Sequence, residues 1–203
     1  MALNLHVYLT ALEKAESAEA LNTVLIEQSR GLGAVALVGH PLPYGSGKRL
    51  PAWKPYIATF PDEILELYRE TAGLDDPFLE ASLAMGTPVH FASQVAEFKW
   101  SSRQLKVFEL MGQHGIQDGV AMPTMVKPGV TAYFAMGFGV RRESIPRTEL
   151  RQIYVLFCEY FARRRELTQG HRPTFSMRER QILVNIVKGR SKAEIGKALS
   201  LSE

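Results

Sequence analysis

The amino-acid sequence predicts an α+β body followed by a small helical tail, and three observations carry that prediction. Apolar residues recur at helical spacing over 3–14, 18–31, 102–114 and 147–167. Short β-rich runs bounded by glycine and proline lie between them, at 34–38, 55–59, 88–91, 119–126 and 130–139. The last two runs are joined through Lys127-Pro128-Gly129 alone, a connection too short for a parallel crossover. About five strands in an antiparallel sheet are therefore expected, rather than a doubly wound parallel one.

Each element has a local cause. Leu5, Val7, Tyr8 and Leu12 give the first helix its apolar face, and Leu21, Val24 and Leu25 the second. Gly31 and Gly33 turn the chain into the strand at 34–38, and 39–52 reads as a loop because it holds Pro41, Pro43, Gly45, Gly47 and Pro51. Pro61 opens a helix at the position where proline is tolerated. Asp76-Pro77 starts a short helix that ends near Gly86, and 88–91 is the third strand. Ser101 or Ser102 caps an amphipathic helix carrying Leu105, Phe108, Leu110 and Met111, which ends at Gly115. Residues 1–167 are read as the body, 168–174 as a linker and 175–203 as the tail.

The tail carries two capping boxes, Ser176-Met177-Arg178-Glu179 and Ser191-Lys192-Ala193-Glu194. Ile182, Leu183, Ile186 and Val187 follow the first at helical spacing, and Gly189 stands where a C-cap glycine belongs. Ala193, Ile195, Ala198 and Leu199 repeat the pattern on a shorter helix, and Ser202 stands where a third helix would be capped. These are the opening elements of a helix-turn-helix.

Composition narrows the functional classes. Of 203 residues 46% are hydrophobic and 22% charged, which suits a globular core, and no run approaches the ~18 apolar residues of a membrane span. The first residues lack a basic stretch followed by an apolar one, so no signal peptide is read and a cytoplasmic protein is expected. Cys158 is the lone cysteine, in an apolar helical run, where it reads as a buried thiol. The net charge of +3 is uneven: ten Lys/Arg face four Glu from 163 to 203, while the remainder is slightly acidic. A basic tail on such a body suits either a phosphate-facing module or a solvated helical face. Nucleotide-binding glycine loops, HExxH and GxSxG are missing from the sequence, and its five histidines are scattered. Asp62-Glu63 and Asp75-Asp76 are adjacent pairs that point apart, so no catalytic residue, metal site or cofactor is read.

Phe175, Ser176, Arg178, Glu179, Leu183, Gly189, Ser191, Glu194, Ile195, Leu199 and Ser202-Glu203 resemble the DNA-binding domain of LuxR-type transcriptional regulators, with Asn185 where an aromatic is common. In the body, Phe60-Pro61-x-x-Ile64-x-x-x-Tyr68, Asp76-Pro77 and 114–120 resemble the acyl-homoserine-lactone-binding domain of the quorum-sensing members. The resemblance implies an α-β-α sandwich on a five-stranded antiparallel sheet, a ligand held between sheet and one helical layer, and homodimerisation. It also implies that the Asp76 carboxylate accepts the ligand's amide N–H, although an N-cap role before Pro77 is equally sound chemistry. Tyr68, Phe60, Ile64, Phe91 and Ala135 carry over as pocket residues.

The departures from the family pattern matter as much. Ile64 replaces a tryptophan whose indole N–H donates to the lactone carbonyl, and Phe60 lacks the hydroxyl of a frequent tyrosine. Phe91 replaces a second tryptophan, and Ala135 a frequent Ser or Thr. Either the signal has a more apolar head than a lactone, or side chains close the pocket. Arg178, Arg180, Lys188, Arg190 and Lys192 would contact DNA phosphates, whereas the base-reading helix of such a motif is not among these residues. The expected partners are a second copy of the chain, or a related full-length regulator that the chain pairs with and blocks, and DNA only if the full gene product carries the base-reading helix.

Overall fold

The structure is a computed structural model that describes residues 4–43, 54–71, 76–94, 99–127, 130–168, 181–182, 184–186 and 189–199. It divides into a body, Met1–Thr168, and a tail unit, Gln169–Glu203. In the body, α1 (Leu5–Lys14) and α2 (Ala18–Gly31) lead into β1 (Ala34–Pro43) and β2 (Ile57–Ala58). Then come α3 (Asp62–Thr71), α4 (Pro77–Met85), β3 (Val89–His90), α5 (Phe91–Gln94) and α6 (Ser102–Gln113). The long strands β4 (Asp118–Lys127) and β5 (Val130–Phe138) and the long helix α7 (Arg147–Thr168) complete it.

The five strands form one sheet in the order β2-β1-β5-β4-β3, with every pairing antiparallel. Side-chain alternation gives the sheet two buried faces. Leu37, Val120, Met122, Phe134, Met136 and Phe138 meet α1, α2 and α7 through Tyr8, Leu12, Leu21, Leu25, Leu156 and Phe157. Ala36, Val38, Ala121, Tyr133 and Ala135 meet α3, α4 and α6 through Ile64, Tyr68, Phe78, Val107 and Met111. The α-β-α layering follows from these two cores.

Helix ends explain the boundaries. Asn4 caps α1, Ser17 caps α2, and Ser101 with Gln104 forms the capping box of α6. Gly86 and Gly115, at φ 62° and 71°, terminate α4 and α6 in the left-handed conformation that glycine tolerates. The C-terminal carbonyls of α1 are met from α7: the Arg163 guanidinium donates to the carbonyl oxygens of Leu12, Glu13 and Ala15. Arg164 lies over the Tyr56 ring. Both arginines, counted above with the basic tail, thus serve the body.

Several boundaries differ from expectation. The loop expected from residue 39 is strand as far as Pro43. Gly39 turns its carbonyl toward Tyr56 N, on the β2 side, so Pro41 and Pro43, of the same parity, aim their missing N–H groups past the end of β2. The second strand shrinks to Ile57–Ala58 because it pairs only with Val38 and Gly39. Phe91 begins α5 instead of ending β3, since Asp118 Oδ1 accepts from Ala92 N and draws the chain into a helical turn.

In the tail unit, Ser191 and Glu194 form the second capping box ahead of the helix Lys192–Ala198, and Gly189 has φ 73°. Asn185 is buried; its Nδ2 donates to Gln181 O, and its Oδ1 accepts from Arg190 Nη1 at 2.8 Å. The first capping box, Arg178, Arg180 and Lys188 lie outside the described residues.

Gly119 leaves room for the ring of Phe91. A Cβ there would collide with that ring and stand 2.5 Å from the Met136 carbonyl oxygen. Gly119→Ala is expected to cost about 1–3 kcal/mol, as overpacking does, and to lower Tm by several degrees in thermal denaturation.

Candidate functional site

Three rows of side chains make the floor of the site on the α3–α6 face of the sheet. Ala36, Gly137 and Gly119 form the first and Val38, Ala135 and Ala121 the second, each row running across β1, β5 and β4. Both rows are shallow, and a Cβ at Gly137 would meet Ile116 and Phe60 as one at Gly119 would meet Phe91. The third row, His40, Tyr133 and Pro123, is tall and partly polar. The floor therefore rises toward Tyr133.

The helices supply the roof. Ile64 and Tyr68, four residues apart on α3, share its inner face, and Phe60 precedes that helix. Phe91 stacks on Phe78 of α4, ring centroids 3.6 Å apart. Phe60, Ile64, Tyr68, Phe91 and Ala135 are all buried in one apolar cluster. The structure thus brings together the five wall residues named from the sequence.

Asp76 fills the N-cap role considered for it. As N-cap of α4 its Oδ1 accepts from Phe78 N at 2.7 Å, and its Oδ2 accepts from the Tyr68 hydroxyl. The carboxylate is 3% exposed, so the pair is dry. Burial raises the Asp76 pKa above the ordinary carboxylate range; Tyr68, Tyr133, the Phe78 N–H and His40 pull the other way. The neighbouring phenols of Tyr68 and Tyr133 are pushed well above the usual tyrosine value by burial and by this carboxylate, so both remain protonated donors. Burial lowers the pKa of His40, whose ring lies 5.4 Å from that of Tyr133.

Tyr133 and His40 escaped the sequence reading. Tyr133 sits two residues before Ala135 on one strand and so shares its face, a signal that was available. His40 is placed opposite Tyr133 by a strand register that no local pattern announces. Tyr133 lies near enough to feel the Asp76 charge, yet no hydrogen bond of good geometry joins them. Its hydroxyl is buried without a hydrogen-bond partner among the described residues. A group left so costs about 1–3 kcal/mol.

A second polar cluster pins the edge of the site. His90 Nε2 meets Asp118 Oδ2 at 2.8 Å, and His90 Nδ1 meets Ser93 Oγ at 2.9 Å. Asp118 Oδ1 also accepts from Ala92 N and Gly119 N, and Oδ2 from Arg142 N. With about four lone-pair sites, that carboxylate is fully occupied by its own chain. It joins β3, α5, β4 and the segment after β5, which gives it a structural task. Beside it a concavity of about 380 Å³ is lined mainly by Phe91, Phe108, Met111 and Ile116. Among the described residues no His, Cys, Asp or Glu side chains gather in a metal-binding group, and no helix is long and apolar enough to cross a membrane.

The family described as the autoinducer binding domain matches residues 17–164. The structure resembles that of SdiA from Escherichia coli, with TM-score 0.68 and 20% identity, covering 97% of this chain and 83% of that one. SdiA in complex with octanoyl-rac-glycerol gives TM-score 0.62 and 18% identity, with coverages of 100% and 84%. CepR2 from Burkholderia cenocepacia, an N-acylhomoserine-lactone-dependent LuxR-family factor, gives 0.56 and 16%, with 78% and 89%. At such identities these likenesses speak for the fold. No curated protein sequence matches the chain.

The raised Asp76 pKa has a definite sign in stability. The folded state holds this proton more tightly, so the stabilisation is present below about pH 3.9, the ordinary Asp value, and is lost as pH rises through the raised folded value. Asp76→Asn removes this titration. Urea unfolding from pH 4 to 7 should show wild type losing stability relative to Asp76→Asn as pH rises.

Proposed function

The chain belongs to the autoinducer binding domain family, and on that premise we propose that it is a LuxR-type, quorum-sensing-related transcriptional regulator with an atypical signal pocket. Residues 1–167 bind the signal, a second copy of the chain completes a dimer, and the tail is the opening of a helix-turn-helix. Arg178, Arg180, Lys188, Arg190 and Lys192 are its phosphate contacts, which position DNA without reading its sequence.

The observation that carries the signal-binding reading is the Tyr68–Asp76 pair, an acceptor carboxylate and a phenol enclosed by Phe60, Ile64, Phe91 and Ala135. A dry acceptor in an apolar wall suits a neutral, largely apolar ligand with one N–H aimed at Asp76. The walls offer no donor from Ile64, Phe60 or Ala135, so a lactone head would lose its polar partners on entering. Two such losses at about 1–3 kcal/mol each weaken binding roughly a hundredfold or more. SdiA's complex with octanoyl-rac-glycerol lends support, because an acyl compound need not be a lactone to occupy this fold.

A matched pair of ligands tests the reading. N-octanoyl homoserine lactone and N-cyclopentyl octanamide share the acyl chain and the amide and differ only in the polarity of the ring. At micromolar concentration the cyclopentyl amide should raise Tm and the lactone should not. A lactone shift equal to or larger than that of the hydrocarbon analogue would sink the proposal.

A further inference from the structure

Tyr133 stands at the centre of the sheet, paired with His40 on one side and Pro123 on the other, and its side chain rises into the core that holds Asp76 and Tyr68. It is fully buried, and its hydroxyl has no hydrogen-bond partner among the described residues. Buried polar groups in folded proteins are nearly always paired, so a lone hydroxyl beside a buried carboxylate is a recognition group short of its complement. Tyr68 differs: its hydroxyl already donates to Asp76.

We propose that Tyr133 is the specificity-determining donor of this pocket, giving its O–H to the acyl carbonyl oxygen of a neutral N-acyl amide whose N–H is accepted by Asp76. The inference rests on the signal-pocket reading above and adds the residue that supplies the donor missing at Phe60 and Ile64. The charge of Asp76 in a dry interior repels an anionic head, which excludes free fatty acids. A bare hydrocarbon is disfavoured because it leaves both the phenol and the carboxylate unmet. A secondary amide offers the required acceptor and donor on adjacent atoms. Burial and the Asp76 charge keep the phenol protonated, so the donor persists across the physiological pH range.

Tyr133→Phe tests this because it keeps the ring and removes only the hydroxyl. Without ligand, the variant should melt at or slightly above the wild-type temperature, since an unmet buried group has been removed. With N-cyclopentyl octanamide, it should bind roughly tenfold more weakly than wild type, the usual scale for one lost hydrogen bond. Octanoate should shift neither protein. A clear fall in the ligand-free Tm of Tyr133→Phe would mean that the hydroxyl bonds Asp76 within the chain, which overturns the proposal. Equal ligand shifts in wild type and Tyr133→Phe overturn it while leaving the pocket reading intact. A shift with octanoate removes the neutral-ligand argument. No shift with N-cyclopentyl octanamide in wild type sinks the pocket reading and this inference together.

Discussion

β5 pairs with β1 along one side and with β4 along the other, and that double register decides which side chains enter which core. Successive residues of β5 point to opposite faces, so Phe134 and Met136 pack under α7 while Tyr133 and Ala135 face α3 and α4. A slip of one residue would exchange these sets and place Phe134 where the site now has its shallow floor. The glycines reinforce the choice, because Gly119 and Gly137 are opposite one another and each admits a ring or branched side chain from the helical layer. Site geometry in this chain is thus a property of strand pairing before it is a property of any helix.

The cost of that geometry is concentrated at Asp76. Taking a carboxylate out of water is unfavourable by several kcal/mol unless donors replace the lost hydration. The Phe78 N–H and the Tyr68 hydroxyl do so in part, and the raised Asp76 pKa shows that the replacement is incomplete. Stability is given up here to keep a polar group in an apolar interior. The surrounding core offsets the penalty: the Phe91–Phe78 stack and the edge contact of Phe78 with Phe108 bury large areas close by.

Local signals made the elements legible and left the third dimension dark. The helix over 18–31, the cap at Asp76 and the glycine stops at Gly86 and Gly115 could be read because each depends on neighbours within four residues. Pro41 and Pro43 misled because their effect depends on which edge of β1 is open, a fact fixed by the shortness of β2. Phe91 was read as strand because Asp118, twenty-six residues later, is what bends it into a helical turn. The family resemblance names Phe60, Ile64, Tyr68, Phe91 and Ala135, which the fold gathers into one buried cluster. Tyr133 shares the face of Ala135 by strand alternation, whereas His40 reaches it only through a pairing of β1 with β5 that spans more than ninety residues of sequence.

Asp118 has a further consequence. One oxygen of its carboxylate fixes Ala92, next to the wall residue Phe91; the other holds His90 and the backbone N–H of Arg142, whose guanidinium clasps both oxygens of Glu149 in the first turn of α7. The wall of the site and the start of that helix therefore hang from a single hinge-pin. Their positions are not independent variables. The helix so anchored is a 22-residue rod that ends at Thr168. One buried carboxylate thus ties the segment beside Phe91 to the first turn of the longest helix through direct bonds alone.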